Sequence, residues 1–147
     1  MGLSIWEGMD GIVASDALRH HPGTSSIETP AMPPILRLPD SISASPRQPV
    51  DRDRLVAGSP CQAVDNAYSS PDQAFHCGIW EGDVGAWRVR YTEHELCHML
   101  AGRVRMTGDD GSDAVFSAGD SFVIPAGFEG LWEVLEPARK LYAVYEP

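Results

Sequence analysis

From Phe75 onward, apolar and polar residues alternate in short runs: FHCGIWE (75–81), AWRVRY (86–91), ELCHML (95–100), RVRMT (103–107), AVFS (114–117), SFVIP (121–125), LWEVL (131–135) and KLYAVY (140–145). Runs of this length, rich in Val, Ile, Phe, Tyr and Trp, fit the pleated, half-buried surface of a strand. Turn formers separate them: Gly82-Asp83, Gly102, Asp109-Asp110-Gly111, Gly119-Asp120, Ala126-Gly127 and Glu136-Pro137. The Asp110-Gly111 pair predicts a type I′ hairpin, because glycine takes positive φ without steric cost. Gly127, just after Pro125, is expected at positive φ as well. Many short strands with no helical period predict an all-β antiparallel sandwich or closed barrel.

The chain changes character near residue 73. Nine of its 12 prolines lie between Pro22 and Pro71, whereas ten of its 12 aromatic residues lie from Phe75 onward. Proline removes a ladder donor and fixes φ, so the first half cannot be continuous sheet. Residues 1–31 are read as a flexible N-terminal extension, with one weakly amphipathic helical turn around Ile12–Leu18. Residues 32–147 are read as the domain: an arm of extended chain and loops over 32–72, laid on a barrel core over 73–147.

Composition narrows the function classes. With 43% hydrophobic residues in 147, the chain can bury a proper core. Eleven Lys+Arg against 21 Asp+Glu give a net charge of −10, which repels phosphate backbones and anionic lipid. A small molecule is therefore the expected partner, and neither nucleic acid nor membrane. Cys61, Cys77 and Cys97 form no CxxC and no even framework, which suits free thiols in a reducing cytoplasm. The opening residues MGLSIWEGMDGIV lack the basic region and long apolar run of a secretory leader. No stretch approaches a membrane span in length.

Two segments carry more than composition. Trp87 to Gly102 reads WRVRYTEHELCHMLAG, and Gly119 to Gly127 reads GDSFVIPAG. Together they resemble the two cupin motifs, with Glu95 separated from Gly102 by six residues as the cupin glutamate is from its closing glycine. More narrowly, the pattern from Trp87 through Gly127 to the closing WEVLEPARKLY resembles the small single-domain cupins of the (S)-ureidoglycine aminohydrolase cupin-domain family, to which the ethanolamine-utilisation cupin is related. The resemblance runs over roughly residues 55–147. It implies an antiparallel double-stranded β-helix, the RmlC-like jelly roll, and a homodimer.

The departures bear on chemistry. Counted back from Glu95, the cupin histidine pair falls on Val89 and Tyr91, or on Arg88 and Arg90. The histidine of the second motif falls on Gly130 and its closing asparagine on Val134. Imidazoles with one carboxylate suit a divalent transition metal, whereas a lone carboxylate holds one only weakly. No metal ligand set and no cofactor is therefore expected, beyond a weakly held divalent ion.

Strand alternation puts Tyr91, Glu93, Glu95, Cys97 and Met99 on one face. The cupin resemblance turns Glu95 inward, and Cys97 with it. Trp132 lies two residues past the missing histidine and shares its face, and Trp87 and Tyr91 line the same space. Arg139 and Lys140 are candidates to pair with Glu95. Such a carboxylate is protonated, paired with Lys140 or an arginine, or free for a cationic ligand. The expected pocket is thus Trp87, Tyr91, Glu93, Glu95, Cys97, Trp132 and Lys140, with aromatic faces and carboxylates suited to a small cationic or ureido-type ligand. Cys97 is read as a small core residue, His94 and His98 as exposed, and His76 as a reserve ligand. Two functions follow. One is a degenerate cupin binding a small polar nitrogenous metabolite without a tightly bound metal. The other, which the ureidoglycine resemblance implies, is a hydrolase or lyase acting on a C–N bond, with Glu95 as acid or base, with or without the assistance of a metal.

Overall fold

The computed structural model describes residues 31–42 and 45–147. The extension read over 1–31, with its helical turn, lies outside the described residues except for Ala31, which is exposed. Among the described residues there are nine strands: β1 (Gln48–Pro49), β2 (Leu55–Ala57), β3 (Cys61–Ser69), β4 (Phe75–Gly82), β5 (Gly85–Arg90), β6 (His94–Gly108), β7 (Asp113–Ser117), β8 (Ser121–Ile124) and β9 (Glu129–Tyr145). Every pairing between them is antiparallel.

Two long strands organise the rest. β6 and β9 pair along nearly their whole length, from His94↔Tyr145 to Gly108↔Gly130. The outer edge of β9 takes β5 with its first half and β4 with its second. The outer edge of β6 takes β8 and then β7. The result is two strand orders that share the long pair, β1-β3-β4-β9-β6-β8 and β2-β5-β9-β6-β7. This is a jelly-roll cupin barrel, as the alternating runs and the motif resemblance imply.

The sequence pattern splits each long strand in two, at Gly102 and at Glu136-Pro137. The structure instead bends both at those residues. The register shifts three times between Met99 and Val104, and inward parity in β6 passes from Glu95, Cys97 and Met99 to Val104 and Met106. Gly102 makes the bend possible with φ of 78° and backbone packed on Pro137, whose carbonyl oxygen would lie 2.2 Å from an added Cβ. A hydrophobic pattern breaks in the same way at a bulge and at a turn.

Two other expectations change. The arm over 32–72 is not loops throughout, since β3 is a nine-residue strand paired with β4. Pro60 and Pro71 stand just outside it, where a missing ladder donor costs nothing. The Asp110-Gly111 hairpin forms, but Gly111 alone is at positive φ, so the turn is not type I′. Asp110 accepts hydrogen bonds from Ser112 N at 2.9 Å and Ser112 Oγ at 2.6 Å, which fixes a different loop. Gly127 has φ of 93°, as expected.

The inner face of the curled sheet forms one core. Trp80, Trp87, Val89, Cys97, Met99, Val104, Trp132, Val134 and Tyr142 belong to it. Among the described residues no helix is long and apolar enough to cross a membrane.

Candidate functional site

Seven residues singled out from the sequence, Trp87, Tyr91, Glu93, Glu95, Cys97, Trp132 and Lys140, are all buried. Strand register explains how they meet. Lys140 lies opposite Trp80 on one side and Met99 on the other, and Trp132 lies opposite Trp87 and Met106. Glu95 and Cys97 follow one another inward on β6 beside Lys140 on β9.

Lys140 is the hub. Its Nζ donates to Glu95 Oε1 at 2.8 Å and to Cys97 Sγ at 3.4 Å. The ammonium also sits 4.7 Å from the centroid of the Trp132 ring and 5.4 Å from that of Trp80, over two π faces. Of the alternatives open for Glu95, the structure selects the ion pair with Lys140. Arg139 points to the other face, where its Nε meets Glu81 Oε1 at 2.8 Å.

Trp80 is the site residue that sequence reasoning missed. Its edge meets Trp132 in a T-shape at 5.6 Å, it lies 6.4 Å from Trp87, and its Nε1 donates to Gln62 Oε1 at 2.9 Å. Its alternate position in FHCGIWE was the available signal. Tyr142 is a second buried neighbour, donating to Asn66 Oδ1 at 2.9 Å.

The electrostatics hold the protons in place. Burial works against the Lys140 charge, but Cys97 and Glu95 beside it outweigh that and raise its pKa. Burial, with Glu95 next to it, pushes the Cys97 thiol far up, which favours the neutral thiol over the thiolate. Burial, then the charges of Glu95, Cys97 and Glu93, raises the Tyr91 hydroxyl well above the usual tyrosine range.

Four buried polar atoms around this hub complete no hydrogen bond: Trp87 Nε1, Tyr91 Oη, Glu95 Oε2 and Trp132 Nε1. Tyr91 is near enough to Glu95 for the carboxylate to hold its proton, yet the contact falls outside good hydrogen-bond geometry. Buried polar groups are nearly always partnered, and each orphan costs about 1–3 kcal/mol. A cleft of about 170 Å³ lined by Met106, Phe116, Phe122, Ile124, Pro125 and Phe128, among others, approaches from the β7–β8 side. Its Phe122 lies 6.5 Å from Trp132 and its Phe128 lies 6.3 Å from Tyr91.

The remaining candidates stand apart from the Lys140 hub, although Glu93 is near enough to Tyr91 to act on its hydroxyl. Glu93 is buried and accepts from Thr92 N at 3.2 Å and Thr92 Oγ1 at 3.0 Å, which ties it to its own turn. His94 is exposed, accepts from Ala126 N at 3.1 Å and stacks on Tyr145. His98 is half-buried on the same outer side and bonds Ser121 Oγ at 2.7 Å. His76 has inward parity, but it is no reserve ligand. Its Nε2 donates to the Gln73 carbonyl at 2.8 Å, so Nδ1 accepts the Ser69 hydroxyl at 2.7 Å, and both nitrogens are used in closing the β3–β4 turn.

The match to known proteins is decided by residues 69–142, which fit the model of the EutQ-like cupin domain. The chain belongs to the EutQ-like cupins. No curated protein matches it. Among solved structures, the EutQ protein of Clostridium difficile is 19% identical with a TM-score of 0.53, over 58% of this chain and 63% of that one. A protein of unknown function from the DUF861 family of Pseudomonas syringae is 22% identical with a TM-score of 0.62, over 73% of this chain and 46% of that one. An ethanolamine utilization protein Q assigned in Salmonella typhimurium is 15% identical with a TM-score of 0.54, over 71% and 98%. The chain thus spans less than two-thirds of the Clostridium and Pseudomonas proteins, and at these identities the likeness is one of fold.

A cupin barrel raises the question of a metal ion, and the donor set of this EutQ-like cupin does not fit one. Glu95 Oε1 is already engaged by the Lys140 ammonium. Val89 and Tyr91, or Arg88 and Arg90, and Gly130 stand at the motif positions of the cupin histidines. At Gly130 even a Cβ would lie 2.2 Å from the Thr107 carbonyl oxygen, so no imidazole fits without parting β6 and β9. Among the described residues no three of His, Cys, Asp and Glu group together as ligands.

Proposed function

We propose that this EutQ-like cupin binds a small polar nitrogenous metabolite inside its barrel without a tightly bound metal. One observation carries the reading: polar atoms of Trp87, Tyr91 and Trp132, and the second carboxylate oxygen of Glu95, are left without a partner in the same barrel core as a fully buried ion pair. Two indole N–H groups and a hydroxyl can donate, and a carboxylate oxygen can accept, so a ligand with both an oxygen and an N–H matches them. The cleft lined by Phe122 and Phe128, whose rings neighbour Trp132 and Tyr91, supports access from that side. A calorimetric screen of small amines, ureides and amino alcohols then finds a binder. Both Glu95→Gln and Trp132→Phe weaken it about tenfold, or ~1.4 kcal/mol. A screen without a binder, or a binder indifferent to both substitutions, sinks this reading.

A second reading is a C–N hydrolase or lyase akin to the ureidoglycine aminohydrolase cupins. It draws on the unpartnered Glu95 Oε2 beside the Tyr91 hydroxyl, a proton acceptor next to a held proton. Turnover of the bound compound, lost in Glu95→Gln at unchanged affinity, selects it over simple binding.

Two further elements complete the reading. The protein works in the cytoplasm, where the free thiols Cys61, Cys77 and Cys97 stay reduced. It pairs as a homodimer through the outer face of the β4–β9–β6–β8 sheet, where Phe75, Tyr145, Leu96 and Val123 are exposed on adjoining strands. Leu96→Glu with Val123→Glu then yields a folded monomer by sedimentation.

A further inference from the structure

We infer that Lys140 is the resident cation of this barrel, in the place where a cupin would hold a metal ion, and that it excludes both divalent metals and cationic ligands. The inference deepens the binding reading by fixing the charge class of the ligand: uncharged or anionic, never an ammonium.

The features that would attract a cation to the barrel centre converge on Lys140, with only the second carboxylate oxygen of Glu95 left over. The carboxylate of Glu95, the strongest donor, is 2.8 Å from Nζ. The soft donor, Cys97 Sγ, is 3.4 Å from it. The π faces of Trp132 and Trp80 are 4.7 and 5.4 Å from it. A carboxylate, a thiol and two aromatic faces are what a metal ion or an alkylammonium would seek. Here they converge on a side chain that is wholly buried and attached to β9.

The charge is also placed so that it cannot withdraw. Lys140 is held between Trp80 and Met99 in register, with no path to solvent along its stem. A second cation within contact distance would have to share one carboxylate charge with the ammonium, in a low-dielectric interior where the repulsion between the two cations is far stronger than in water. The orphaned atoms point to the same ligand class. Three of the four, Trp87 Nε1, Tyr91 Oη and Trp132 Nε1, are donors or can donate, and a donor meets an oxygen, not an ammonium. Glu95 Oε2 then accepts from a neutral N–H or O–H of the same molecule.

The test replaces the resident cation with one from solution. Wild-type protein and Lys140→Ala are melted with and without n-butylammonium chloride, n-butanol, ZnCl₂ and MnCl₂. The wild type is expected to ignore all four. Lys140→Ala is expected to melt lower and to be rescued by n-butylammonium in a dose-dependent way, by about 4 °C for each kcal/mol of binding, with no rescue by butanol. Should Lys140→Ala not fold, refolding it with and without the amine gives the same comparison, and the wild-type titrations stand independently. A wild-type melting temperature raised by zinc, manganese or the amine, and returned to baseline in Glu95→Gln, overturns the proposal. So does a Lys140→Ala protein that folds and gains nothing from the amine. The metabolite screen is read separately: a barrel that takes alkylammonium in the wild type is still a binding module, whereas one that takes no metabolite still reports on its cation.

Discussion

Two ion pairs of nearly equal length sit in opposite environments. Lys140–Glu95 is 2.8 Å long with side chains 0% and 4% exposed, and Arg88–Asp109 is 2.7 Å long with both side chains 48% exposed. Distance does not separate them, but surroundings do. The surface pair competes with water and salt, and pairs of its kind contribute about 0–1 kcal/mol. The interior pair has lost its water, so each partner depends on the other. Together they gain little over an apolar pair, yet either one alone is costly. A charge pair that adds little net stability but must stay complete is better understood as part of a site than as a brace.

The largest expected effect breaks the interior pair from one side. Lys140→Met leaves Glu95 buried without its cation and should cost about 3–5 kcal/mol in denaturant unfolding. The double variant Glu95→Leu with Lys140→Met should recover most of that loss, since no lone charge remains. A single variant as stable as the wild type would show that the pair is hydrated after all.

The pH dependence comes next. Lys140, Cys97, Tyr91 and Tyr142 all have raised pKa values in the fold. A group whose folded pKa is raised gives its full stabilisation below the unfolded value and loses it as pH rises toward the folded one. The ordinary values are 9.0 for the thiol, 10.0 for the tyrosines and 10.5 for the lysine. Stability should therefore decline from about pH 9 upward, and Cys97→Ala should make the decline between pH 9 and 10 shallower, with Cys77, also raised by burial, keeping a share of it. The exposed carboxylates Asp110 and Asp113 are lowered by hydrogen bonds from Ser112 and Arg105. Their contribution has the opposite sign, fading as pH falls through their folded values, and exposure keeps it small. An acid limb steeper than the alkaline one would reverse the comparison.

The smallest effect is at the surface. Arg88→Ala should change the melting temperature by less than about 2 °C, and less still at high salt. A larger drop would mean that the pair anchors β5 to the β6–β7 turn more firmly than its exposure suggests.

How much of this was legible in the sequence differs from residue to residue. Alternation puts Tyr91, Glu93, Glu95, Cys97 and Met99 on one face, the cupin resemblance turns that face inward, and all five are buried. That worked because the strand period is two and the face is decided wherever a core lies on one side. Trp80 was overlooked as a site residue although its alternation was equally readable, because no motif drew attention to it. His76 was misjudged for the converse reason: parity sent it inward, and the hydrogen bonds to Ser69 and Gln73 that occupy it could not be read from a pattern.

By itself the sequence determined the jelly-roll strands, their inward faces, the positive φ at Gly127 and the absence of histidines at the positions where cupin ligands stand. These follow from local rules of alternation, turn chemistry and motif spacing. Only the tertiary structure decided that β6 and β9 run on through their bends, because a bulge and a turn interrupt the pattern alike. Only it decided which of the open alternatives Glu95 takes. The choice of Lys140 over Arg139 rests on a contact across a separation of 45 residues and on the register of β6 against β9. A one-residue slip in that register would have turned Lys140 to solvent and Arg139 to the core.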